Sequence, residues 1–316
     1  MPLVCVAGPS SRYYAAAGGG AWEDISVGYA DMPAELATDN RKVRMDLTGS
    51  DWGTQIDTVN GASVTRVVGG AFDGTDCVRI VPPSGSTPNG NQTYSCIMRG
   101  LDLTNGGTKD VSRVQLGFCV KYGSTYFNMG ETAKVTGILP SQTIGGATSV
   151  AARAAIYEDY RDQGAADLRR VFSIICGGVA EYYDPPQGGF QGEHADADLL
   201  MLLGSVSNHA NNPPLVASDW LYFLQSVDFR QDGANANGRN RVDVWSRTQY
   251  LGLLSVPLNN RPDWDFSYLY ANQIEYIGGL WNDPATADAN CYLDVSHPIV
   301  SVNRTWGDNI PLPTGF

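Results

Sequence analysis

DWLYFLQSVDFRQDGANANGRNRVDVWS, residues 219–246, decides the fold. From Trp220 to Phe229 the chain is crowded with aromatic and large aliphatic side chains and holds no glycine or proline, which suits a buried strand. RQDGANANGRN then gathers two glycines, an aspartate and three asparagines, residues that supply positive φ or bond their own backbone in turns. Its DGANANG core superficially follows a calcium loop. However, Gly233 and Ala234 stand where an oxygen ligand belongs and no glutamate closes it, so the reading is a hairpin turn. RVDVWS alternates again, with Val242 and Val244 on one face and Asp243 on the other. Strand, polar turn and strand make a long antiparallel hairpin.

The same pattern extends outward. KVRMDL, SVTRVV, DCVRIV, TYSCIM, RVQLGFCVKY, AKVTGIL, SVAARAAIY and RRVFSIICG come before it, and QIEYIGGLW and CYLDVSHPIVSV after it, all punctuated by Gly, Pro, Asn and Asp. Residues 147–170 compete as a helix, but Gly164 interrupts them and SVAARAAIY alternates well as a strand. Many short strands with turn signals predict an all-β fold, an antiparallel β-sandwich of jelly-roll type, with residues 41–316 as a single domain. Residues 1–40, with AAAGGGA at 15–21, read as an extended N-terminal arm. Such an arm has little side-chain surface to hold itself, which points to docking in a homo-oligomer or larger assembly; an arm folded onto its own domain is the other reading.

The chain has 316 residues and a formal charge of −12, so its field repels nucleic acid and anionic membranes, and an anionic ligand would need a local basic patch. RDQGAADLRR is too small a basic cluster to reverse this. No apolar run reaches the length of about 20 residues that a membrane span needs. MPLVCVAGPSSRYY lacks the basic head and long apolar run of a secretory signal, so no membrane insertion and no classical export are expected. Six cysteines (Cys5, Cys77, Cys96, Cys119, Cys176, Cys291) form no C-x-x-C pair and read as buried free thiols, with a Cys77–Cys96 disulfide as the alternative. GEHADAD, with Glu193, His194, Asp196 and Asp198, is oxygen-rich, but its spacing is no recognised ligand loop; no metal or other cofactor is expected, and calcium has no support beyond this composition.

LGFCVKYGSTYFNMGETAKVTGILP, residues 116–140, resembles a segment of polysaccharide lyase family 14 and related alginate-lyase jelly rolls, where a strand ends in an aromatic turn and enters a Gly-Gly-Lys-Leu-Pro-Gly element. Here Thr132-Ala133-Lys134-Val135-Thr136-Gly137 keeps the lysine and the last glycine. The family's Ser-x-Arg is matched by Ala151-Ala152-Arg153, and its Tyr-x-Tyr with a following proline by Glu181-Tyr182-Tyr183-Asp184-Pro185. The C-terminal third also follows the order of the closing strands of concanavalin A-like jelly rolls. The resemblance implies that Arg153 clamps a uronate carboxylate, that Tyr183 serves as proton donor or base, and that Lys134 stabilises enolate-like charge. Glu181 and Tyr182 would face the ligand. Alanine and glutamate replace the family's serine and first tyrosine, and Glu181 would repel an anionic sugar. Arg153 with Glu181 reads equally well as a cross-strand ion pair, and Lys134 as a solvated strand end.

Trp245, Tyr250, Trp264, Tyr268, Tyr270, Trp281 and Tyr292 crowd the last third, and sugar rings stack on such faces; Trp245 and Trp281 are the candidates for substrate contact. The expected function is therefore that of a glycan-recognising structural or adhesion protein, a surface or decoration component of a virus (phage) particle. It is placed on the virion or an extracellular surface, with polysaccharide as partner. The alternative is an active polysaccharide lyase cleaving alginate-like uronate polymers by β-elimination.

Overall fold

A computed structural model describes residues 22–56, 61–83, 92–124, 126, 133–140, 154–162, 168–176, 183–184, 189–190, 219–229, 239–257, 270–282, 289–304 and 309–316. They form an all-β sandwich. The first sheet comprises β1 (Glu23–Val27), β2 (Arg41–Met45), β18 (Leu293–Val302), β8 (Arg113–Tyr122), β14 (Trp220–Asp228), β15 (Arg239–Ser246) and β16 (Tyr250–Pro257), in that spatial order. A hairpin of β4 (Ser63–Val67) and β5 (Cys77–Val81) joins it through β18. The second sheet runs β11 (Leu168–Cys176), β10 (Ala154–Asp162), β9 (Ala133–Pro140), β17 (Ala271–Asn282), β6 (Gln92–Ile97) and β3 (Gln55–Ile56), with β7 (Leu101–Asp102) also on β17. A separate ribbon pairs β12 (Tyr183–Asp184) with β13 (Gly189–Phe190). Pairing is antiparallel apart from β1 on β2.

Alternation along the strands builds the core. In β8 Val114, Leu116, Phe118 and Val120 turn toward the second sheet, whose Ile97, Val135, Ile138, Ile274 and Ile277 meet them, all essentially inaccessible. Burying this many large apolar side chains is the dominant stabilising effect. One polar device crosses the core: Thr136 Oγ1 donates to Gln225 Oε1 at 2.7 Å, and Gln225 Nε2 donates to Asn240 Oδ1 at 3.1 Å. A hydrogen-bonded polar group in a dry interior resists sliding, so this chain of contacts pins β9 to β14 and β15 in one register.

The last strands closely follow the sequence reading, but the N-terminal boundary does not. Residues 22–40, expected within an extended arm, carry β1, a 3-10 turn at Tyr29–Asp31 and helix α1 (Met32–Ala37), and Met32 and Leu36 are fully buried in the core. Pro33 near the helix start and Lys109, whose Nζ donates to the carbonyls of Leu36 and Ala37 at 3.2 Å each, cap a helix too short to stand alone. Residues 1–21 of that stretch lie outside the described residues.

The middle of the outer face of the first sheet is sealed. Trp220, Tyr222 and Leu224 of β14, with Cys119 and Ile299, pack under Ala71 and Phe72 of the β4–β5 hairpin and under the tail residues Ile310, Leu312 and Phe316. Phe72 meets Phe316 edge-on at 4.8 Å. Charges on this face are paired: Arg79 grips Asp294 with two bonds of 2.7 and 2.9 Å, Lys121 approaches the same carboxylate at 3.3 Å, and Arg113 holds Asp228 at 2.7 Å. Arg241 binds Asp243 and Tyr250 donates its hydroxyl to the same carboxylate. Burial and Asp243 both push the Tyr250 phenol far above its ordinary range.

Candidate functional site on the second sheet

The outer face of the second sheet is built around β9. Val135 packs in the main core and the next residue, Thr136, also reaches across it to Gln225, so two successive residues turn to one face, which strict alternation forbids. The cause is a bulge at Val135: β10 pairs Ile156 with Thr136 but Tyr157 with Lys134, leaving Val135 unpaired. The partner on the other side is irregular at the same level, where Ile277 pairs with Thr136 and Leu280 with Lys134, so Gly278 and Gly279 are passed over. Gly278 has φ of 130° and a side chain there would meet the Ser95 carbonyl at 2.9 Å, so no other residue fits without displacement. The bulge therefore sets position 134 out of step with Thr136 and in step with Gly137.

The predicted site residues divide into three groups. Lys134 occupies a central strand, with Tyr157 of β10 and Leu280 of β17 opposite it; only its backbone is described. Trp281 lies beside it in register, opposite Ala133 of β9 and Thr93 of β6. Arg153, Glu181 and Tyr182 lie outside the described residues. Tyr183 belongs to the β12–β13 ribbon, paired with Phe190. Trp245 does not join the group. Half-buried on the outer face of the first sheet, it packs between Tyr222 at 5.6 Å and Tyr250 at 5.2 Å because the VDVWS alternation that buries Val242 and Val244 turns it away from the second sheet.

A cluster not foreseen from the sequence lies on the same outer face. Gly137 of β9 carries the Glu275 carboxylate over it, at 2.7 Å from where a side chain would begin. Glu275 Oε1 is 3.4 Å from Arg99 Nη1, and the same nitrogen donates to the Glu275 carbonyl at 3.3 Å. The Arg99 guanidinium sits 4.4 Å above the Tyr94 ring and 6.0 Å from Tyr276. Tyr94, Cys96 and Tyr276 form a small apolar cluster separate from the main core. Desolvation pushes the Cys96 thiol up to about 12, so it is an inert packing group and not a nucleophile. The signal for the cluster was present as Glu275 in the apolar run QIEYIGG and Arg99 after TYSCIM, but alternation alone does not show that two bulged strands bring them together.

The cysteines follow the free-thiol reading where they are described. Cys77, Cys96, Cys119 and Cys291 are buried and unbridged. Cys77 belongs to the sealed face of the first sheet and Cys96 to the outer face of the second, so the sandwich separates them and the Cys77–Cys96 alternative fails. Among the described residues no three His, Cys, Asp or Glu side chains converge as a metal site, and no helix is long and apolar enough to cross a membrane. GEHADAD lies outside them.

The sequence matches no protein-family model, and no curated protein matches it. Similarity appears among solved structures. The marine PL-14 alginate lyase from Aplysia kurodai aligns over 76% of this chain and 87% of its own, with 13% identity and a TM-score of 0.42. The alginate lyase vAL-1 from Chlorella virus aligns over 82% and 98%, with 14% identity and a TM-score of 0.42. The receptor-binding domain of botulinum neurotoxin D aligns over 83% of this chain and 46% of its own, with 6% identity and a TM-score of 0.34.

Proposed function

We propose that this chain is a glycan-recognising surface protein whose ligand, an acidic polysaccharide of the uronate class, lies across the outer face of the second sheet. The observation that carries the reading is the place of Lys134 in the second sheet. It stands on a central strand at the bulge, within the element whose pattern resembles the lyases. In a chain of charge −12 a local basic site is what an anionic polymer requires.

Attachment to a virus particle or an extracellular surface belongs to the same proposal, with residues 1–21 as the docking segment. Residues 22–40 are excluded from that role because they complete the sandwich. Particles assembled with and without residues 1–21 test it: loss of the protein from the purified particle is expected on truncation, and full retention contradicts the assignment.

Titration calorimetry with an oligouronate and with a neutral oligosaccharide of equal length tests the ligand assignment. Saturable binding of the acidic oligomer that weakens in Lys134→Ala is expected. Equal affinity for both sugars, or no binding, contradicts it. A steady rise in ultraviolet absorbance from unsaturated uronates, abolished by Lys134→Ala, would instead favour β-elimination, the second reading that Lys134, Arg153 and Tyr183 together support.

A further inference from the structure

We infer that Arg99 is a carboxylate-binding residue of the same face, forming a subsite for one acidic sugar unit beside the Lys134 strand. This rests on the proposed polysaccharide site and extends it from β9 across β17 to the turn between β6 and β7.

The backbone at Arg99 is held on every side. Its N–H donates to the Gly53 carbonyl at 2.7 Å, Met98 N donates to the Trp52 carbonyl at 2.8 Å, and Gly100 N donates to the Glu275 carbonyl at 3.1 Å. The Arg99 carbonyl in turn accepts the Tyr29 hydroxyl. Met98 and Gly100, on either side, both have positive φ, 55° and 65°. For methionine this conformation is strained and persists only where the surroundings over-determine it, a condition that occurs disproportionately at ligand sites. The consequence is one arginine presented at a fixed position.

Its side chain is only partly used. Nη1 is turned toward Glu275, while among the described residues Nε and Nη2 have no acceptor, and the side chain keeps 30% of its accessibility. A guanidinium held through Nη1 by the Glu275 backbone carbonyl and backed by the Tyr94 ring offers its remaining edge to a carboxylate through two parallel bonds. Arg79, by contrast, engages both oxygens of Asp294 within the protein. Glu275 faces the same region and restrains anion affinity, which gives the test a sign.

The experiment measures binding of an oligouronate and of a neutral oligosaccharide to wild type, Arg99→Gln and Glu275→Gln, with thermal unfolding as a check on folding. Arg99→Gln is expected to weaken oligouronate binding by about tenfold or more and to leave the neutral sugar unchanged, as loss of a charge-assisted bidentate contact requires. Glu275→Gln is expected to strengthen oligouronate binding several-fold. Wild-type oligouronate affinity in a folded Arg99→Gln, or equal loss for both sugars, overturns the subsite while leaving the polysaccharide face standing. Should Arg99→Gln not fold, Glu275→Gln decides, because unchanged or weaker oligouronate binding there also overturns the subsite. A wild-type chain that binds no oligouronate overturns both proposals.

Discussion

The two outer faces of this sandwich use the same residue types for opposite ends. On the first sheet, arginines and lysines meet buried carboxylates, aromatic rings meet the C-terminal tail, and Arg79, Lys121, Arg113 and Arg241 are all taken up by the protein itself. On the second, bulges at Val135 and around Gly278 break the alternation, and an arginine on a strained turn keeps one edge unengaged. The saturated face stabilises; the irregular, half-satisfied one is where the proposed ligand lies. Ligand sites commonly violate local regularity in this way while the rest of the fold compensates.

Variants on the sealed face should change stability and leave ligand binding alone. Asp294→Ala removes a buried carboxylate shared by Arg79 and Lys121 and should cost about 3 kcal/mol in a denaturant titration, since two cations lose their partner. Leu36→Ala should cost about 2.5 kcal/mol, because a fully buried leucine on α1 leaves a cavity. It also tests whether residues 22–40 are structural, as an unchanged midpoint would return them to the arm. Phe316→Ala loosens the tail from Phe72 and Tyr222 and should cost about 1.5 kcal/mol, less because the ring is only partly buried.

The smallest expected effect is a pH dependence. His297 Nε2 contacts Asp73 and Nδ1 contacts Ser296, and burial lowers the imidazole pKa despite the opposing pull of Asp73. Because the folded pKa lies below the unfolded one, the unfolded state binds the proton more readily. The stabilisation from neutral His297 is thus complete above the unfolded pKa, about 6.5, and is lost as pH falls through the folded value. His297→Asn should flatten the melting temperature across that window. Asn tolerates the φ of 53° found there, so the comparison is clean. An unchanged slope would show that His297 does not titrate in this range.

Much of the sandwich was legible because strands with one buried face alternate, and RVQLGFCVKY coincides with β8 residue for residue. Ala154–Tyr157 of SVAARAAIY lies within β10 as expected, and residues 149–153 lie outside the described residues. YLGLLSVP, the strand β16, was missed because its leucines carry no clear period. The N-terminal helix escaped because MPAELA is six residues long and its apolar pair Met32 and Leu36 shows meaning only once the core is assembled. For the proposed site, the sequence points to Lys134 on its strand but cannot reveal Arg99 and Glu275, which are separated by 176 residues and meet through bulged strands. Trp245 misled for a related reason, because composition cannot say which of two outer faces an aromatic will occupy.

The contrast between the faces reduces to one measurement: hydrogen exchange of the full chain, followed segment by segment, with and without saturating oligouronate. Added protection is expected in β9, β17 and the stretch from β6 to β7, with none in β14, β15 or the tail. Protection centred on Trp245 and the tail would contradict the proposed site, because the ligand would then lie on the outer face of the first sheet.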